Sequence, residues 1–268
     1  MATPRRSIVG GSALGVLIGA LVAIQGRANA ALARDLGDAI GGAALGFILG
    51  WVIITVAVVA GSQHRRALAA IPGLVRGKQL AWWLCLGGLG GATLVASQGF
   101  AVPVLGVSLF TVALVAGQTT SSLEVDRLGL GPGGRLALTR TRVAAAVISL
   151  VAVAVAADPF GTSLHLNAVA VLVCLFAGTL VSAQQAFNGR VAAATGSPIA
   201  AAWMNFTVGG IMLWTLTLLR HPDFSRTPSP LERPWLYVGG LIGATFVVTA
   251  ARLVRTLGVL LLTLTSIA

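Results

Sequence analysis

Long apolar runs, separated by short polar stretches, cover the chain almost from end to end. Most runs are close to the roughly 20 residues that a helix needs to cross about 30 Å of hydrocarbon. They predict an all-α membrane protein with helices at about 7–26, 39–60, 82–98, 104–121, 141–157, 166–185, 198–219 and 235–250, and a ninth that begins near 256. A short uncharged connection with Pro103 separates the third helix from the fourth. A basic loop follows the second helix and holds His64, Arg65, Arg66, Arg76 and Lys78.

The apolar pattern contains an internal repeat. At an offset of 159 residues, Gly19, Leu21, Gln25, Asn29, Gly37, Ile40, Phe47 and Gly50 coincide with Gly178, Leu180, Gln184, Asn188, Gly196, Ile199, Phe206 and Gly209. At an offset of 152 residues, Trp83, Gly87, Gly88, Leu89, Gly91, Ala92 and Thr93 coincide with Trp235, Gly239, Gly240, Leu241, Gly243, Ala244 and Thr245, and 105–107 coincides with 257–259. Repeated sets of membrane helices are typical of transporters.

The repeat predicts two structural units, 1–158 with five helices and 159–268 with about four. Because five is an odd number of spans, the second unit must enter the membrane upside down relative to the first. The expected fold is therefore a ten-helix inverted-repeat (5+5) bundle, cut short after about nine helices. We expect the natural chain to continue past Ala268, where a tenth helix would complete the second unit.

Composition agrees with a membrane protein. Hydrophobic residues make up 56% of the chain and charged residues 9%, which leaves too little polar surface for a soluble globule of 268 residues. The net charge of +11 lies in short loops, where it favours orientation signals and lipid headgroup contacts over nucleic-acid binding. Cys85 and Cys174 lie inside apolar runs and are predicted to be packing residues without a disulfide.

The basic residues also predict an orientation. With a cytoplasmic amino terminus, the first unit has ten lysines and arginines inside and two, Arg27 and Arg34, outside, whereas the second unit has three on each side. The run after Arg5 and Arg6, followed by the sequence at 28–30, imitates a signal peptide. We predict that it is retained, because its repeat counterpart around Gln184 is internal.

Two amide pairs are the main candidates for a binding site. Gln25 and Asn29 are four residues apart and share one face of a helix, as do Gln184 and Asn188. An amide in hydrocarbon is costly without a partner, so these side chains are expected to face the protein interior. They either line a substrate pocket, or bond across helices and cap helix ends.

Other polar and aromatic residues are weaker candidates. Gln98, Gln118 and Asn205 are single amides, for which interhelical bonding competes with substrate binding. Arg27 points away from Gln25, so snorkelling to headgroups competes with anion recognition, and Arg190 is similar. The tryptophans in or near the second and seventh helices either pack or form a substrate-stacking wall: Trp51, Trp203 and Trp214.

Catalytic chemistry has no support in the sequence. No carboxylate is predicted within a span, since Glu124, Asp126 and Asp158 fall at loop positions. The residues form no metal-binding spacing, no nucleophile–base set and no phosphate-binding loop, so neither a catalytic site, a metal nor a cofactor is predicted. Proton coupling through a buried carboxylate is also not predicted.

The repeated motifs resemble those of the drug/metabolite transporter superfamily, and within it the YdcZ-type branch of inner-membrane exporters. The resemblance covers nearly the whole chain; the tenth helix is missing. It is carried by 19–29 with Gly37, by 178–188 with 196–198, by Gly-Gly-x-x-Gly at 87–91 and 239–243, and by Gly117 and Gln118 before Asp126. It implies export of small metabolites across the bacterial inner membrane without specifying the substrate.

The sequence thus predicts a multipass carrier that moves a small organic solute by alternating access between its two units. The alternative is a non-transporting membrane scaffold or partner subunit, in which the glycine stripes serve only assembly. The two hypotheses differ in whether the Gln and Asn pairs line an accessible cavity or hydrogen-bond only to one another. The lipid bilayer and a small-molecule substrate are the expected partners, and homodimer formation is left open.

Overall fold

The computed structural model describes residues 5–156 and 164–265, with side chains for 21–155, 168–225 and 227–263. The described residues contain no strand, as the apolar pattern predicts. The α-helices are α1 (Arg5–Leu36), α2 (Ala39–Ala60), α3 (Ser62–Arg76), α4 (Gly88–Leu128), α5 (Arg140–Ala156), α6 (Leu164–Thr195), α7 (Pro198–Arg220) and α8 (Val238–Thr265). Short 3₁₀ turns precede α4 and α8. The ends of the two units near Asp158 and Ala268 lie outside the described residues.

Helices α1 and α6 extend ten residues past the ends expected from hydropathy. Each continues until a glycine in the left-handed region, Gly37 (φ 72°) and Gly196 (φ 70°). The next residues, Asp38 and Ser197, occupy equivalent positions in the repeat, and their side chains accept the first free N–H groups of α2 and α7. Because the helices are longer, Asn29 and Asn188 lie well inside them and do not cap their ends.

Helix α4 is a helical hairpin that contains the third and fourth predicted helices. Its chain reverses at Gly106 (φ 72°, ψ 166°), a few residues after the connection that was expected around Pro103, which is itself helical. A straight helix would separate Gly90 from Gln118 by about 42 Å. Both instead contact one turn of α6: a Cβ added to Gly90 would lie 2.5 Å from the Leu180 carbonyl, and Ser182 donates to the Gln118 carbonyl at 2.7 Å.

Helix α8 bends at the equivalent glycine. Gly258, 152 residues after Gly106, has φ 73° and ψ 171° and separates the eighth predicted helix from the start of the ninth. A side chain at either position would strain the backbone, because few L-residues adopt a positive φ. The repeat therefore includes the backbone conformation of its turns as well as its sequence.

The basic loop after α2 is a helix, contrary to the sequence prediction. Helix α3 buries Ala67 and Ile71 against α6 and α7 and leaves Arg65, Arg66 and Arg76 exposed. Its uncharged run, 67–75, is only nine residues long and includes Pro72 and Gly73, so a search for membrane spans does not detect it. The second unit has no such helix at the equivalent place among the described residues.

Five helical stretches in the described part of the chain are long and apolar enough to cross a membrane: Ala39–Ala60, Trp82–Leu128, Ala168–Thr195, Pro198–Arg220 and Pro234–Thr263. The second of these, at 47 residues, has the length of two crossings. Large apolar side chains also cover the outside of the bundle, for example Ile148, Val155 and Leu172, which is the surface that lipid requires. The protein is thus an all-helical, multipass membrane protein.

The centre of the bundle is the contact between the equivalent helices α2 and α7. Their contacts run in opposite order along the two chains: Phe47 meets Gly209, Trp51 meets Thr207, and Thr55 meets Trp203. The two helices therefore pack antiparallel. A Cβ on Gly50 would lie 2.3 Å from the ring of Phe206, and one on Gly209 would lie 2.6 Å from the ring of Phe47.

Candidate functional site

A small cavity lies at the centre of the bundle, between α1, α2, α4, α6, α7 and α8. It holds about 30 Å³, enough for about two water molecules. Four of the amides proposed from the sequence line it: Gln25, Asn29, Gln184 and Asn205. The rest of the wall is apolar or glycine, and it includes three phenylalanines and one or more glycines from each Gly-Gly-x-x-Gly motif: Phe47, Phe206, Phe246, Gly91, Gly239, Gly240 and Gly243.

The repeated glycines create the room that the amides occupy. A Cβ added to Gly239 would lie 2.3 Å from Asn29 Oδ1, and one added to the equivalent Gly87 would lie 2.6 Å from Asn188 Oδ1. Each asparagine thus packs against the glycine motif of the other unit. The glycines at 91 and 243 lie in the same way against Gln184 and Gln25, at 3.3 and 3.5 Å. The glycine motifs therefore shape the cavity wall as well as the helix contacts.

Two amide–amide hydrogen bonds fix the asparagines. Asn29 donates to Gln98 Oε1 at 2.7 Å, and Asn188 donates to Asn205 Oδ1 at 2.9 Å. These bonds leave several buried polar atoms without a partner among the described residues: Asn29 Oδ1, Gln98 Nε2, Gln184 Oε1 and Asn205 Nδ2. An unsatisfied buried donor or acceptor costs about 1–3 kcal/mol, so these atoms favour a bound polar molecule.

The three remaining candidates lie outside the cavity lining. Gln98 and Asn188 each bond to a residue that lines the cavity, Gln98 to Asn29 and Asn188 to Asn205. Gln118 lies in the contact between α4 and α6, where its carbonyl accepts from Ser182. The structure thus joins four of the seven amides in two hydrogen-bonded pairs, Asn29 with Gln98 and Asn188 with Asn205. Gln25 and Gln184 line the same cavity, and Gln118 lies apart from it.

The cavity carries no formal charge on any of the described residues that line it. Arg27 is exposed and lies outside the lining. Arg190 donates to the carbonyls of Gly129 and Leu130, at 2.6 and 3.1 Å, and so caps the end of α4. Arg190 thus contacts carbonyls in place of the headgroups expected from the sequence, whereas snorkelling of Arg27 stays a prediction.

Polar contacts close the bundle on both sides of the cavity. At one end, called the Asp38 end, Arg220 donates to Asp38 at 2.7 Å and Arg233 donates to Asp35 at 3.0 Å. At the other, the Ser197 end, the His64 ring bonds to the Ser197 hydroxyl at 2.9 Å. Asp38 and Ser197 are equivalent in the repeat. Asp38 links α2 to the end of α7, and Ser197 links α7 to α3, the helix that follows α2.

Asp126 is buried, contrary to the loop position expected from the sequence. Helix α4 continues to Leu128 and places its carboxylate, with 3% of the side chain exposed, between α5 and α8. It pairs with Arg142 and accepts the backbone N–H groups of Val259 and Leu260, at 3.1 and 3.2 Å. These are the first free donors after the Gly258 bend, so Asp126 caps the last helical segment from outside.

Gln185 is a further buried amide that the sequence reasoning missed. Neither polar atom of its side chain has a partner among the residues described. Its only sequence signal is a polar side chain beside Gln184 within an apolar run. Because the repeat places Gly26 at the equivalent position, a search for repeated polar pairs passes over it.

Among the comparisons with known proteins, a family model described as "Putative inner membrane exporter, YdcZ" matches residues 11–155 and 169–268. The two matched ranges correspond to the two repeat units and cover most of the chain. No curated protein and no solved structure gives a match.

Proposed function

The chain belongs to the YdcZ family of inner-membrane exporters, and from this premise we propose that it exports a small organic solute by alternating access. The observation that carries the proposal is the central cavity, whose buried amides retain unpartnered donors and acceptors. In a scaffold protein, we would expect interhelical hydrogen bonds to pair all of these buried amide donors and acceptors. The proposed substrate contacts are Gln25, Asn29, Gln184 and Asn205. Gln98 orients Asn29 and Asn188 orients Asn205 through their hydrogen bonds.

An inverted repeat supports the alternating motion. The equivalent helices α2 and α7 pack antiparallel, and the equivalent glycines at 106 and 258 bend the chain in the same way. We propose that the units 1–158 and 159–268 are related by a two-fold axis in the membrane plane that passes near the Phe47–Phe206 contact. Rocking about this axis would open one end of the cavity while it closes the other.

The closing contacts suggest how the two states differ. In this conformation the cavity is too small for an organic solute, and both the Asp38 end and the Ser197 end are tied. Opening toward either side therefore requires that end to release these polar contacts. The exposed arginines of α3 lie at the Ser197 end, so we propose that this end faces the cytoplasm.

Spin-label distances in lipid nanodiscs test the alternating motion. One label pair at Arg34 and Leu231 reports on the Asp38 end, and a second at Arg66 and Ala194 reports on the Ser197 end. All four residues are exposed. Asp38→Asn removes the charge that holds Arg220 but keeps an N-cap side chain, and His64→Leu removes the bond to Ser197.

The expected result is reciprocal. Asp38→Asn should shift the first pair to longer distances and leave the second short, whereas His64→Leu should do the opposite. Glu124→Ala, which disrupts an exposed ion pair with Arg127, is the control and should change neither. If both pairs lengthen together, or if neither responds to either substitution, the alternating mechanism is wrong.

A further inference from the structure

We propose that the substrate is an uncharged amphiphile whose apolar part enters from the bilayer, through a groove between α2 and α7. This inference rests on the proposed function and adds the substrate class and the route. It is carried by the neutral amide cavity, by two phenylalanines that separate the cavity from lipid, and by the groove on the other side of those rings.

The cavity selects for a polar group that both donates and accepts. Its unpartnered acceptors are Asn29 Oδ1 and Gln184 Oε1, and Asn205 Nδ2 is an unpartnered donor. No lining residue in the described chain could neutralise an ion, and desolvating an unpaired charge is far more costly than desolvating an amide or hydroxyl. A hydroxyl or carboxamide group therefore fits the site, whereas an ammonium or carboxylate does not.

Two phenylalanine rings form the wall between cavity and groove. Phe47 and Phe206 are equivalent in the repeat, and their ring centroids are 4.9 Å apart. Both side chains line the central cavity and also the groove outside it. Among the residues that the structure describes, only these two rings belong to both linings, so a change of their rotamers would join the two spaces.

The groove itself accepts only apolar groups. It has a volume of about 280 Å³ and is lined by Phe47, Ile48, Trp51, Phe206, Thr207, Gly210, Ile211 and Trp214. The indole N–H of Trp51 donates to the Thr207 hydroxyl at 3.0 Å, so the polar atoms of this pair bond to each other. A cavity with polar contacts joined to an apolar groove matches one molecule with a polar and an apolar end.

The groove opens at the depth of the acyl chains. Phe47 and Phe206 each lie eight residues from the first residue of their antiparallel helices, which places their contact near mid-span. Ile48 and Ile211 at the groove are 46% and 64% exposed, so the opening faces the lipid. A substrate that uses it must already be dissolved in the membrane.

Photo-crosslinking of the full chain in nanodiscs tests this inference. The probe is decanamide with a diazirine at the far end of its tail, compared with the same tail on a carboxylate and on a trimethylammonium group. Phosphatidylcholine with a diazirine in its acyl chain tests for ordinary lipid in the groove. Labelled residues are mapped by mass spectrometry, with and without an excess of unlabelled decanamide.

We expect the amide probe to label Ile48 and Ile211, and excess decanamide to reduce that labelling at least several-fold. Gly210→Leu should block the groove and reduce labelling of Ile211, and its Cβ would meet no atom within 4 Å. Ala152→Leu adds similar bulk to the exposed face of α5 and should have no effect.

The opposite results would overturn the inference. In the first, either charged probe labels the groove more strongly than the amide probe, and excess decanamide reduces that labelling. In the second, phosphatidylcholine labels the groove and excess decanamide reduces its labelling as much as that of the amide probe. In the third, Gly210→Leu leaves labelling by the amide probe unchanged. Absence of competable labelling by every probe would also refute it. None of these outcomes alters the reciprocal spin-label distances, so failure of the substrate class is distinguishable from failure of the carrier mechanism.

Discussion

The buried carboxylate of Asp126 gives the sharpest stability prediction. It bonds to Arg142 and to the N–H groups of Val259 and Leu260, which have no helical acceptor because the chain bends at Gly258. Asp126→Ala would leave both N–H groups unpaired at about 1–3 kcal/mol each. Arg142 is 18% exposed and can partly rehydrate, so we expect a total loss of about 3–5 kcal/mol.

Reversible unfolding in mixed dodecyl maltoside and sodium dodecyl sulfate micelles, followed by circular dichroism, measures this loss. Glu124→Ala is the matched control, because Glu124 is two residues away and its ion pair with Arg127 is 3.7 Å long and exposed. Its removal should cost less than about 0.5 kcal/mol. Asp126→Asn, which keeps one acceptor oxygen, should fall between the two. A loss below about 1 kcal/mol for Asp126→Ala would refute the capping role.

Four further substitutions test other parts of the account. Gly258→Ala should lower the stability of the fold by about 1–3 kcal/mol, because Gly258 has a positive φ. Gly210→Ala, in the middle of α7, should raise it by about 0.5–1 kcal/mol. Thermal unfolding measures both variants, and equal effects would contradict the bend at Gly258. Gly88→Ala would place a Cβ 2.1 Å from the Asn205 carbonyl, so the variant should lose the tight packing of α4 on α7 and become susceptible to proteolysis. Asn29→Leu should abolish competable decanamide labelling while the protein remains folded by circular dichroism; full labelling would remove Asn29 from the site.

Most of the fold follows from the repeated sequence. Identical residues at a constant offset are expected to occupy similar environments, and the coincidence of 105–107 with 257–259 falls where the chain bends at Gly106 and Gly258. The N-caps at Asp38 and Ser197 were not predicted, because these two residues differ although their positions are equivalent. Helix α3 could not be predicted from hydropathy, because a short amphipathic helix buries only a narrow apolar face, here Ala67 and Ile71.

The candidate site was predicted in part. The four-residue spacing of Gln25 and Asn29 placed both on the buried face, and the structure brings both to the cavity. Asn205 has glycine at the equivalent position in the first unit, so the repeat gave no reason to prefer it to other single amides. The burial of Asp126 depends on the contact between α4 and the bend in α8, a long-range contact without a local sequence signal.

The central claim is that the amide cavity opens in turn to each side of the membrane. Val247 lines that cavity, so Val247→Cys in a chain with Cys85→Ser and Cys174→Ala places one thiol within it. The measurement is the rate at which a membrane-impermeant maleimide modifies this thiol from each side of oriented proteoliposomes. Modification from both sides is predicted, with Asp38→Asn accelerating it from one side and His64→Leu from the other; modification from a single side in every variant would contradict the account.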